Sequence, residues 1–183
     1  MPKKPRTSRE DMIEGAFRLI RERGHEAFSA RNLAALLGCS TQPIMYRFPN
    51  LLELRELAYQ RADRFHTAYL LEAEELTEIG LRYIRFAAEE GALFRFLFQS
   101  GHFDGAHLPD MIRSPETAAL VSAAAGELEL PEAEAAAAFE TLFLVVHGYA
   151  SLVANNAMEY DPDAVERTLV ALAEGLLGKE NTI

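Results

Sequence analysis

Apolar residues recur at helical spacing along almost the whole chain, and no segment alternates strictly between apolar and polar positions with turn residues at its ends. The pattern predicts an all-α fold. Thr7 and Ser8 stand three positions before Glu10 and Asp11, a capping-box arrangement opening a first helix with Ile13, Ala16, Phe17 and Ile20 on its apolar side and Gly24 at its end. Ser29 is placed to cap a short second helix over 30–37, Gly38 supplies a left-handed stop, and Ser40 caps a third helix running to about Phe48. Pro49 and Asn50 break the chain before a long fourth helix through about Glu75, with Leu54, Leu57, Ala58, Phe65 and Tyr69 available to its buried side. Further helices are predicted near 77–90, 92–99, 115–128, 131–158 and 162–177, the last three each opened by a proline suited to a first turn. One long loop is expected over 100–114.

Within this series, residues 29–48 have the spacing of a helix-turn-helix: Ala34 stands four before Gly38 and Ile44 six after it. Ala34 is small where two helices cross, Gly38 makes the turn, and Ile44 fills the space between them with Leu33 and Leu37. A plain helical hairpin satisfies the same three positions. If the hairpin reads DNA, the third helix turns Thr41, Gln42 and Tyr46 toward base edges, with Gln42 able to hydrogen-bond an adenine. Pro43 sits in the first turn, where it interrupts no hydrogen bond.

Charge favours the DNA reading. The net charge of −10 would repel phosphates if evenly spread, but residues 1–49 hold nine basic side chains against five acidic ones, a balance of +4 that leaves −14 on the other 134 residues. Lys3, Lys4 and Arg6 on the N-terminal arm, with Arg31 and Arg47, are the candidates for phosphate contact. The chain is 49% hydrophobic and 25% charged, and no eighteen apolar residues run uninterrupted, so no membrane partner is expected. A single cysteine, Cys39, forms no internal disulfide, in keeping with a cytoplasmic location.

The first helix, the helix-turn-helix and the run Tyr46-Arg47-Phe48-Pro49-Asn50-Leu51-Leu52-Glu53-Leu54 resemble the N-terminal domain of TetR/AcrR-type transcriptional regulators. The runs Ala92-Leu93-Phe94-Arg95-Phe96-Leu97-Phe98 and Val146-His147-Gly148-Tyr149-Ala150-Ser151-Leu152 are similar to the ligand-domain type named for a Trp-His-Gly motif, although the chain has no Trp. The resemblance covers essentially the whole chain. It implies a DNA-binding domain over 1–50 and a helical ligand-binding and dimerisation domain over 51–183. It adds Ser29, Ser40, Pro43 and Met45 to the residues expected at the DNA. The phosphate-touching aromatic common in the family falls at Met45, and here Tyr46 stands one residue, about 100° of helix, further round. The lysine common at the start of the fourth helix corresponds to Leu51.

The resemblance further implies a homodimer on a palindromic operator, formed through the last two helices, with Ala150, Ser151, Ala154, Leu169, Leu172 and Leu176 as interface candidates. The same residues suit an intrachain core. It implies a repressor released by a small-molecule effector, and Phe65, Tyr69, Phe86, Phe94, Phe98, Phe143 and His147 are the candidate pocket, suited to an apolar or aromatic molecule. Packed core accounts for many of the same aromatics. His102, Asp104, His107 and Asp110 are zinc-binding residue types, but their spacing matches no closed site, so neither a metal nor a cofactor is expected. Two readings of other classes stay open here: an all-helical enzyme using His102, His107 or His147 with a carboxylate, and a helical module whose basic arm binds an acidic protein. No nucleophile motif or phosphate loop supports the enzyme.

Overall fold

The computed structural model describes residues 7–73, 76–101, 118, 121, 122, 125 and 131–176. The described residues form eight α-helices and one 3-10 turn, with no strand. These are α1 (Arg9–Arg23), the turn His25–Ala27, α2 (Ala30–Leu37), α3 (Thr41–Arg47), α4 (Leu51–Leu70), α5 (Leu76–Glu89), α6 (Gly91–Gln99), α7 (Glu132–Ala154) and α8 (Pro162–Leu176). The fold is all-α, as expected. The loop expected over 100–114 and the helix expected over 115–128 fall almost wholly outside the described residues; of the latter, 118, 121, 122 and 125 are helical.

Two compact units emerge, Met1–Tyr69 with Glu90–His102, and Leu70–Glu89 with Phe103–Ile183. The first therefore extends past residue 50 to take in nearly all of α4, together with α6.

In the first unit, Ser8 and Asp11 close the capping box that starts α1: the Asp11 amide donates to Ser8 Oγ at 3.0 Å and the Ser8 amide to Asp11 Oδ2 at 2.8 Å. These bonds hold the Asp11 carboxyl below its ordinary value, the Ser8 amide contributing most. Met12, Ala16, Phe17, Leu19 and Ile20 are buried, whereas Ile13, read from the sequence as part of this side, is half-buried because Met12 and Leu19 take the core face.

The buried face of α4 is Leu54, Ala58, Ala62 and His66, each four residues after the last. This i+4 ridge leaves Leu57, Phe65 and Tyr69 only half-buried. Directional contacts supplement it. Arg61 of α4 lies 4.4 Å over the ring of Phe17 and its Nε donates to Glu14 at 3.0 Å, while Phe65 meets Phe17 edge-on at 5.7 Å. Arg21 of α1 lies over Phe65 at 5.0 Å and pairs with Glu90, and Arg55 of α4 lies over Phe96 at 5.9 Å and donates to the Ser100 carbonyl at 3.2 Å. The Tyr59 hydroxyl donates to the Leu97 carbonyl at 3.3 Å.

In the second unit, α5 packs mainly along α7, and both meet α8. Gly80 permits the close approach: a Cβ there would lie 3.3 Å from Leu169 Cδ1 and 3.5 Å from Val146 Cγ2. Tyr83, Ile84, Phe86 and Ala87 of α5 and Ala135, Val146, Ala150, Val153 and Ala154 of α7 are buried. The last of these helices ends four residues before the expected Met158. Asn156 takes a left-handed φ of 55°, and the Ala157 and Asn156 amides close on the Leu152 and Val153 carbonyls, a stop that asparagine tolerates as glycine does. Glu132–Ala154, although interrupted by charges such as Glu140, is long and apolar enough to cross a membrane by length and composition, and only 17% of its most apolar stretch is buried.

Arg61 supplies both a stacked plane and an ionic bond, so its loss should exceed that of an exposed ion pair. Arg61→Ala is expected to cost about 1–2 kcal/mol in urea unfolding, and Arg61→Lys to recover less than half, since an ammonium keeps the charge without the plane.

Candidate functional site

The Ser29 hydroxyl accepts from the Asn32 amide at 3.2 Å, and Asn32 Nδ2 donates to the Ala27 carbonyl at 2.7 Å, fixing the entry to α2. At the other end Gly38 adopts φ 63°, ψ 31°, and the Gly38 and Cys39 amides close on the Ala35 and Ala34 carbonyls. This paired closure needs the left-handed conformation that glycine enters without strain. Ser40 stands before α3 in extended conformation, but its side chain makes no cap bond. Cys39 is half-buried.

With the turn so fixed, Leu33, Ala34, Ile44 and Phe48 are buried. Arg9 of α1 lies 5.0 Å over the Phe48 ring and pairs with Glu53 of α4 at 2.8 Å, joining the end of α3 to its neighbours in the unit. The Asn50 side chain accepts from the Leu52 amide at 2.9 Å and starts α4.

Against this inward anchor, Thr41, Gln42, Met45, Tyr46 and Arg47 of α3 are exposed, as are Ser40 and Arg31, whereas Pro43 and Ser29 are half-buried. Tyr46 is 87% exposed and Met45 40%, so the aromatic ring stands further out than the residue at the family's usual aromatic position. Lys3, Lys4 and Arg6 lie outside the described residues, as do His102, Asp104, His107 and Asp110.

The candidate pocket residues divide between the units. Phe65, Tyr69, Phe94 and Phe98 belong to the first, where Phe94 and Phe98 have ring centroids 4.9 Å apart and Phe98 meets His66 edge-on at 5.3 Å. Phe86, Phe143 and His147 belong to the second. There Phe139, Phe143 and His147 stack at four-residue steps along α7, with centroids 6.3 and 5.8 Å apart, and His147 Nδ1 lies 2.9 Å from the Tyr83 hydroxyl. Burial holds the His147 pKa below its ordinary value, so a neutral ring in this pair is the favoured form at neutral pH.

Of the interface candidates, Ala150 and Ala154 prove to be protomer interior, at 0% and 3% exposed, because their methyls supply the small surface on which the unit packs. Ser151, Leu169 and Leu172 are half-buried and Leu176 is exposed. The exposed apolar residues of this region are instead Leu144, Val145 and Leu152 of α7, Met158 after it, and Val170 of α8 with Leu176.

Residues 76–174, more than half of the chain, match the family model described as "Tetracyclin repressor-like, C-terminal domain". The chain belongs to the TetR family of transcriptional regulators. No curated protein and no solved structure matches it. For a TetR-family chain the match covers α5, α7 and most of α8, the helices that carry the Tyr83–His147 pair and the exposed apolar residues of α7 and α8.

His66 was not among the sequence candidates, although it completes the four-residue series from Leu54. Burial penalises its charged form and pushes its pKa down to about 4, from an ordinary value of 6.5. The folded chain thus keeps His66 neutral to about pH 4, while the unfolded chain binds a proton near 6.5. Stability contributed here is present above pH 6.5 and is lost as pH falls toward 4. Urea unfolding should therefore show a loss on the order of 2 kcal/mol between pH 7 and pH 5 attributable to this group, and His66→Leu should flatten that part of the profile.

Proposed function

We propose that this TetR-family regulator is a cytoplasmic homodimeric repressor that binds a palindromic operator through α3 and is released from it by a small-molecule effector. The observation that carries the reading is the division of α3: Ile44 and Phe48 are anchored inward while Thr41, Gln42, Met45 and Tyr46 stand free for base edges. The basic N-terminal residues, with Arg31 and Arg47, would neutralise phosphates. Family membership favours this reading over the enzyme and the protein-binding module.

A single α3 spans few base pairs, whereas a symmetric pair reads half-sites about 34–36 Å apart. Support for the pair comes from the exposed apolar residues Leu144, Val145 and Leu152 of α7 and Val170 of α8, on a protomer whose α7 is largely unburied. A second copy covering them would remove that surface from water.

For the effector, the Tyr83–His147 pair set among Phe139 and Phe143 offers one hydrogen-bonding point in an aromatic environment, suited to a mainly apolar molecule with a polar group. A hundredfold loss of operator affinity requires only about 2.7 kcal/mol of coupling.

The experiment is titration of the full-length protein with DNA from upstream of its own gene, against random competitor, across salt concentration. Selective binding is expected, with a log–log salt slope growing by about 0.9 for each phosphate contact, and removal of residues 1–6 should lower both affinity and slope. Equal binding to random DNA would sink the reading. For the dimer, the double variant Leu144→Glu/Leu152→Glu should sediment as a monomer and lose operator binding; a wild-type monomer at micromolar concentration would overturn the dimer.

A further inference from the structure

The residues exposed on α3 carry chemistry that goes further than general contact with DNA. At about 100° per residue, Gln42 and Tyr46 lie roughly opposite Ile44, the buried anchor, and form the outermost ridge of the helix. Thr41 and Met45, about 60° and 100° round from Ile44, form a second ridge beside it, with Met45 40% exposed. Arg47, the one cation among the seven residues of α3, lies at the C-terminal end, only about 60° round from Ile44. It stands on the flank opposite Thr41 and Met45, off both ridges.

Guanine is read most strongly by arginine or lysine, through its O6 and N7 acceptors. The outward ridges hold neither. They hold an amide, whose paired donor and acceptor match N6 and N7 of adenine, and apolar groups, the Met45 thioether, the Thr41 methyl and the Tyr46 ring, which match the C5 methyl of thymine. Side chains three or four positions apart on a helix stand about 5–6 Å from one another, so Gln42 and Met45 reach base pairs one or two steps apart.

Resting on the operator reading above, we infer that the centre of each operator half-site is A·T-rich, with an adenine read by Gln42 and a neighbouring thymine methyl packed against Met45. Specificity is then set by two uncharged side chains, while the basic residues supply affinity that does not depend on sequence.

The test begins with selection of bound duplexes from a random DNA pool by the full-length protein. The recovered half-site is then rebuilt with uracil for each thymine, which removes only the methyl, and with 7-deazaadenine for each adenine, which removes only N7. Gln42→Ala and Met45→Ala, both exposed positions, are titrated on the same duplexes. A·T base pairs are expected at the half-site centre. One uracil substitution should weaken wild-type binding about fourfold, the effect of one buried methyl, and leave Met45→Ala unchanged. One 7-deazaadenine should weaken wild-type binding about tenfold and leave Gln42→Ala unchanged. Recovery of a G·C centre, or wild-type affinity indifferent to both analogues, overturns the inference while leaving the regulator reading intact. Recovery of no common sequence overturns the reading and the inference with it.

Discussion

Four guanidinium groups laid across aromatic rings determine how the first unit is put together. Arg9 over Phe48, Arg61 over Phe17, Arg21 over Phe65 and Arg55 over Phe96 each also hold a carboxylate or a carbonyl oxygen, so each plane is fixed both by the ring below it and by an oxygen at its edge. One such contact stabilises by roughly 0.5–2 kcal/mol, less than the burial of a single leucine. Their importance is orientation: a plane bound at face and edge permits few arrangements of the helices bearing it, whereas apolar side chains tolerate sliding.

The consequence for the proposed DNA recognition runs through Phe48. This ring closes α3, packs inward with Ile44, and lies under Arg9, whose other contact is Glu53 in the first turn of α4. The exposed ridge of Gln42 and Tyr46 is thereby held at a fixed angle to α1 and α4. A seven-residue helix is too short to be stable in isolation, so the orientation of its exposed face is a property of this packing and not of its own hydrogen bonds.

The second unit is built differently. Its contacts are largely apolar, with Gly80 beside Leu169 and Val146 and with Ala135, Ala150 and Ala154 along α7; its polar contacts among the described residues include the Tyr83–His147 pair and the ion pairs of Arg82 with Glu72 and Glu78. For the proposed effector, a largely apolar surrounding of the Tyr83–His147 pair suits a mainly apolar molecule, since little polar surface has to be satisfied. Most of the long α7 is left unburied in the protomer, as a helix that also serves a partner surface would be.

The all-α class and the capping box, glycine turn and exposed face of α3 within residues 8–48 were legible in the sequence because each depends on residues a few positions apart. A serine three before an acid, a glycine at a left-handed turn, and an apolar residue six beyond it act through local backbone geometry, which sequence order fixes directly. What tertiary structure alone decided is which side of each longer helix is core. Periodicity offered Phe65 and Tyr69 to the interior of α4, where the ridge actually followed runs through Ala62 and His66. The family resemblance left Ala150 and Ala154 open to a partner or to the core, and they are buried within the protomer. Tertiary structure also separated the aromatic residues into two units that composition could not distinguish. Apolar spacing shows that a helix has a buried face, but the orientation of that face depends on the neighbours it meets, and those come from distant parts of the chain.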